Sequence, residues 1–284
     1  MSGSLSRTMT IRKHVVETAG GVVASQHRRA AEAGAEVLRA GGDAVDAAVA
    51  CGFVCGVLEP WMSGPAGGGA AMHWRADTGE AHALNFGMKA PAALRIEDFP
   101  LSCEGVAGDL FPWDRVVEDR NVMGAKAVAV PGMVDGLAAP HARWGRLPWA
   151  ELLKPAIAHA RAGLEMDWYA ALIISTAARD LARDPDAAAL FLDDGRWPRP
   201  FSWAAVGDDR IAMPRMADSL EQIARAGASA IHGGDLGEAM ARDVRDKGGY
   251  LTIEDLAGNR AVFHPPLRVA YRDALFHAMP GLTA

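Results

Sequence analysis

The sequence predicts an α+β fold, on three observations. Two separate stretches alternate apolar and polar residues about turn signals, long apolar helical runs stand apart from them, and strands do not alternate with helices as βαβ units demand. That order favours packed helices against paired strands, in a layered α/β/β/α arrangement, over a doubly wound sheet. The 284 residues are read as a single domain, 1–284, with 1–14 expected to be a flexible N-terminus.

The elements follow in order. The apolar run "GGVVAS" predicts a short buried strand within Val15–Ser25, and Ala30, Ala33, Val37 and Leu38 then recur at helical spacing up to the Gly41-Gly42 stop. Asp43 is placed to cap "AVDAAVACGFVCGVLE", a run so apolar that its helix must be buried. Cys51 and Cys55, four apart on that run, read as buried thiols, because no further ligands stand at metal-site spacing. After the glycine-rich stretch "SGPAGGGAAMHW", the segments "AAMHWRA" and "EAHALNFG" flank Asp77-Thr78-Gly79 and predict a β-hairpin. Residues 92–122 read as a surface excursion. "AVAVPGMVDGL" predicts a strand halted at Pro131-Gly132 and a helix from Met133. "LPWAELLKPAIAHARAG" predicts a helix pair broken at Pro155 and closed by Gly163. A helix from Trp168 to Asp184 precedes a loop over 184–214, and two further helices end at glycines. Thr252 caps a short helix with Glu254 and Asp255 in its first turn, and "PPLRVAYRDALFHAM" predicts a second hairpin.

Several functions are excluded or weakened. A net charge of −6 and scattered Lys and Arg argue against nucleic acid or an anionic membrane surface as partner. No run reaches the length of a membrane span, and no apolar run follows the N-terminal charges as in a secretory signal, so a cytoplasmic location is expected. The glycine stretch lacks the Lys-Ser/Thr of a phosphate loop and leads into a strand, which removes the helix N-terminus that a phosphate would need. The plainer reading is that its glycines let two backbones touch. His73 and His82 can face each other across the hairpin, but no histidine pair has metal-site spacing, and no metal or other cofactor is expected. The acid pairs Asp193-Asp194, Asp208-Asp209 and Glu254-Asp255 read as solvated or capping charges. Ser63 lacks the Gly-x-Ser-x-Gly context of an activated serine.

Six stretches, "GVVAS", "LRAGGDAVDAAVA", "GVLEPWMSGPAGGGA", "AVAVPGMVDGL", "WGRLPWAELLKPAIAHA" and "GGYLTIEDLA", stand in an order that resembles the γ-glutamyltransferase (γ-glutamyltranspeptidase) family of N-terminal-nucleophile hydrolases. The resemblance runs from about Gly20 to the end. It implies a four-layer αββα sandwich, shared by a large and a small subunit cut from one proenzyme. It also implies a nucleophilic threonine at the start of the small subunit. No Thr-Thr-His start occurs here: Thr8, Thr10, Thr18, Thr78, Thr176, Thr252 and Thr283 lie in other contexts. The chain thus resembles the large-subunit portion, with no catalytic threonine of its own, a small subunit as partner and room for a higher oligomer.

The resemblance also places a substrate position. Glutamyl-transferring members carry Arg-Glu in the stretch matching "LNFGMKAPAAL", where arginine grips the glutamyl α-carboxylate. Here Gly87 and Met88 stand there, followed by Lys89. Lys89 offers a cation to a smaller acid; the plain alternative is a solvated lysine at a strand end. Gly87, Met88 and Lys89, with Gly67, Gly68 and Gly69, are the expected substrate-binding residues. The neutral Gly87 favours a small acid amide of the oxamate type over glutathione. A true γ-glutamyltransferase and an inactive scaffold homologue are the alternatives.

Overall fold

Helix α1 (Arg28–Arg39) ends where Gly41 takes a φ of 91°, a conformation that suits glycine. Helix α2 (Ala44–Leu58) then starts at Asp43, whose carboxylate accepts from the amides of Val45 and Asp46. The computed structural model describes residues 15, 17–107, 112–199 and 210–281, so the predicted N-terminal segment 1–14 lies outside the described residues.

Asp46 is a fully buried carboxyl, and its hydrogen bonds explain how that is tolerated. It closes the capping box through the Asp43 amide at 3.1 Å and reaches across to the amides of Arg146 at 3.0 Å and Leu147 at 3.2 Å. One carboxylate thereby fixes the start of α2 and the turn between two later helices. Asp46→Asn keeps the shape but turns one acceptor into a donor facing amide donors. It is expected to lower unfolding stability by about 2 kcal/mol, read from denaturant midpoints.

Nearly every side of α2 is apolar, as expected, and it is enclosed by α1, α3 (Met133–Trp144) and α4 (Trp149–Ala162). Phe53 meets Trp149 edge-on at 5.6 Å, and the Trp149 indole donates to the Ile223 carbonyl at 3.0 Å. Phe53, fully buried, stabilises the fold by roughly 1.5–3 kcal/mol. A smaller apolar cluster around Leu164, Ile174 and Ile211 lies under α5 (Trp168–Leu181) and α6 (Pro185–Phe191). Helices α7 (Pro214–Ala226), α8 (Asp235–Asp246) and α9 (Ile253–Gly258) complete the helical part, and α9 begins with the predicted Thr252 cap.

The hairpin forms as predicted. Strands β1 (Gly69–Arg75) and β2 (Glu80–Phe86) pair antiparallel, with Gly79 at a φ of 66° in the turn. Two short strands, β3 (Leu101–Val106) and β4 (Asp114–Val116), pair within the surface excursion. Strand β5 (Val262–His264) extends the first sheet to the order β1-β2-β5. The predicted second hairpin is β6 (Leu267–Tyr271) with β7 (Ala274–Ala278). One face of the three-stranded sheet carries Leu84, His82, His73 and Phe263 beneath α3, so helices cover one side of it.

Five local expectations are corrected. "GGVVAS" forms no ladder among the described residues; Val22 is exposed, while Val23 packs toward Gly34 of α1. "AVAVPG" makes one bridge, Val130 to Lys89, instead of a strand. Helix α4 runs unbroken through Pro155, with Leu152 and Leu153 buried before it and Ala156 and Ala160 buried after it. The loop over 184–214 contains α6, started by Pro185 behind the Asp184 cap. Cys51 and Cys55 are half-buried instead of buried, with Cys55 Sγ 3.1 Å from Ser25 Oγ.

A candidate active site at the end of the first hairpin

The two predicted site segments meet. Pairing that starts at Arg75 with Glu80 ends at Gly69 opposite Phe86, so the glycine loop necessarily arrives where β2 runs out. At Gly68 a β-carbon would stand 2.8 Å from the Met88 amide nitrogen and 2.8 Å from the Phe86 carbonyl oxygen. Gly67 turns its carbonyl the other way and accepts from the amides of Gly132 at 2.9 Å and Met133 at 3.0 Å. The glycines therefore seat one backbone against two others of the same chain: the hairpin end, and the start of α3.

Residues far along the chain finish this junction. Gly132 lies on the Phe86 carbonyl and Gly136 on the Phe86 ring, each so closely that no β-carbon fits. The buried Asn259 side chain donates to the carbonyls of Val130 at 3.2 Å and Pro131 at 2.9 Å. Asp255 accepts from the Ala92 amide at 2.9 Å while closing the Thr252 capping box. Burial pushes the Asp255 carboxyl up, but the hydrogen bonds it accepts from the Ala92 amide and from the Thr252 hydroxyl and amide together outweigh it and hold it below its ordinary value. Gly132, Gly136, Asn259 and Asp255 were not among the sequence-predicted site residues. The only sequence signals for them were the Pro131-Gly132 break and the capped "LTIEDLAGN".

Beyond Phe86 the chain opens into a groove of about 380 Å³, with Met88, Leu94, Ile96 and Phe99 along it and Lys89 and Lys126 at its charged positions. Gly87 is tethered by its amide to Asn85 Oδ1 at 2.8 Å and presents no side chain. Lys89 is exposed and meets no carboxylate among the described residues. Its backbone is fixed by the Val130 amide, which donates to the Lys89 carbonyl at 2.8 Å. Lys126 lies 5.7 Å over the Tyr250 ring, and the Tyr250 hydroxyl donates to Asp98. That bond first, with Lys126 nearby, holds the Asp98 carboxyl below its ordinary value. The arrangement can bind an anion beside apolar surface. The described threonines do not line this groove; Thr252 is spent on its cap, and Thr8, Thr10 and Thr283 lie outside the described residues.

His73 and His82 do stand opposite each other, their rings 6.3 Å apart. Both lie against Trp144, at 4.3 Å and 4.9 Å, with the Arg143 guanidinium over the same indole at 4.7 Å. Burial, and then the neighbouring His82, push His73 below its ordinary value, so the pair behaves as part of an aromatic stack. Among the described residues no group of three or more metal-ligating side chains gathers, and no helix is long and apolar enough to cross a membrane.

Comparisons with known proteins place the chain in a family. The family model described as Gamma-glutamyltranspeptidase matches residues 30–284. A Pseudomonas sp. (strain SE83) relative named Acylase ACY 1 proenzyme is 37% identical over 263 residues, covering 93% of this chain and 45% of the relative. Glutathione hydrolase 3 of Arabidopsis thaliana is 33% identical over 94% of this chain and 38% of its own length. The crystal structure of Helicobacter pylori gamma-glutamyltranspeptidase superposes with a TM-score of 0.81 at 28% identity, over 95% of this chain and 72% of that one. This chain therefore spans less than half the length of the curated relatives it matches. The α+β class expected from the sequence is borne out in this likeness, and by fold and by sequence the chain belongs to the gamma-glutamyltranspeptidase family of N-terminal-nucleophile hydrolases.

Proposed function

We propose that this chain is the large-subunit portion, one domain, of a cytoplasmic, cofactor-free amidohydrolase that cleaves a small amide of an acid. The nucleophile is the N-terminal threonine of a small subunit cut from the same precursor. Its hydroxyl oxygen attacks the amide carbonyl while its own α-amine takes the proton. The tetrahedral oxyanion is held by backbone amides and collapses, and the amide nitrogen leaves as the amine after receiving that proton. Water then attacks the acyl ester, releasing the acid and restoring the threonine. The large subunit binds the acid end of the substrate and holds the hairpin end in place.

One observation carries this reading: neutral Gly87 and Met88 stand ahead of Lys89, which meets no carboxylate among the described residues, at the point where the two predicted site segments converge. The relative named an acylase supports it too. Edge strand β1 presents exposed Met72 and Trp74 on the sheet face away from α3, and that face is the surface offered to the small subunit. A second reading, glutamyl transfer or glutathione hydrolysis, draws on the relative named Glutathione hydrolase 3. Turnover of oxamate, glutathione and a γ-glutamyl anilide by the full-length gene product separates the two. Strong turnover of the glutamyl compounds refutes the argument from Gly87. A product that stays as one band on a denaturing gel and turns over no amide marks an inactive homologue.

A further inference from the structure

A second cavity of about 360 Å³ lies between the start of α1, the end of α2 and the start of α5, sharing no lining residue with the Lys89 groove. Its charges do not balance. Arg28 is engaged by Glu32 at 2.7 Å, and Arg29 by Glu165 at 2.5 Å. Asp167 caps α5 through the Ala170 amide at 2.7 Å. Glu59 is left over. It is 7% exposed, and its carboxylate meets no hydrogen-bond donor and no cation among the described residues.

Its place makes that more costly. Glu59 is the C-cap of α2, at the negative end of a 15-residue helix, and two backbone amides already turn onto its own carbonyl. A buried carboxylate there calls for a positive partner. Beside it the walls are aromatic: Trp61 and Tyr169 meet edge-on with centroids 6.1 Å apart. Aromatic faces attract organic cations, and one free carboxylate is too few donors for a divalent metal.

We infer that this cavity binds a small organic ammonium ion, its N–H groups on the Glu59 carboxylate and its alkyl body against Trp61 and Tyr169. The site owes nothing to the amidase reading and is tested without turnover. The full-length gene product is titrated calorimetrically with propylammonium chloride, and with sodium propionate at equal ionic strength. Saturable propylammonium binding with a Kd on the order of 1 mM is expected, with none for propionate. Glu59→Gln is expected to weaken it at least roughly tenfold. The ligand-free melting temperature of the same variant is measured beside it, and an unchanged value shows that the loss of binding is not a loss of fold. If Glu59→Gln fails to fold, Tyr169→Leu takes its place, with a several-fold loss expected. Wild-type protein that binds no cation, as when another polypeptide's side chain fills the cavity, overturns the inference. So does an unchanged Kd in the variant that folds.

Discussion

Replacing Gly132 by alanine is expected to destabilise the fold by about 3 kcal/mol and to abolish amide turnover in the assembled enzyme. The new methyl carbon would stand 2.2 Å from the Phe86 carbonyl oxygen and 3.0 Å from its carbon. Those are backbone atoms at the end of β2, so no side-chain rotation relieves the overlap. The clash can be removed only by shifting the hairpin end or the start of α3. Either shift breaks the bonds from the Gly132 and Met133 amides to Gly67, and so separates the two site segments. Gly64→Ala is the control: it lies in the glycine-rich stretch that carries Gly67, the partner of Gly132, a β-carbon there meets nothing within 4 Å, and its φ lies outside the left-handed region. It should stay within about 0.5 kcal/mol of the parent. Denaturant melts of both variants decide the matter. Equal stability for the two would mean that the close contact of Gly132 with the Phe86 carbonyl does not limit the fold.

How much of this was legible in the sequence depends on reach along the chain. The turn at Asp77–Gly79 announced the hairpin, and its register alone brings Gly69 opposite Phe86. Side-chain alternation and capping chemistry are local, so α1, α2, the hairpins and the Thr252 cap could be read directly. "AVAVPG" misled because β-branched residues favour extended backbone whether or not a neighbour pairs with it; here Lys89 supplies one bridge and no ladder. Pro155 misled because a proline removes one backbone bond, while the turns on either side of it are held by the buried Leu152, Leu153, Ala156 and Ala160. Gly132, Asn259 and Lys126 were invisible as site residues for a different reason. Their partners lie across the fold, and composition records no such distance. The charge character of the site was nevertheless present in three adjacent letters, Gly87, Met88 and Lys89.

Lys89→Glu is expected to lower kcat/KM for an anionic acyl amide about a hundredfold, and Lys89→Gln about tenfold. The ammonium has no carboxylate partner among the described residues, so a substrate anion does not have to displace one. Its main chain is clamped to Val130, and Val130 in turn is held by Asn259, so little backbone ordering remains for binding to impose. Gly87 and Met88 bring no charge, which leaves Lys89 and the more distant Lys126 to recognise the acid end. Lys126 already interacts with the Tyr250 ring and feels Asp98, so its attraction for a ligand is partly offset. The two effects separate by substrate and by salt. An amide of an uncharged acid should lose less than about twofold with either variant. The penalty on the anionic amide should shrink as ionic strength rises, since an exposed pair is screened within about 10 Å at 0.1 M. A KM that rises with kcat nearly constant places Lys89 in ground-state binding, whereas equal falls in kcat and kcat/KM place it in the transition state. Equal losses on charged and neutral amides would instead make Lys89 a structural residue of the hairpin end, and would return the acid-binding role to another group.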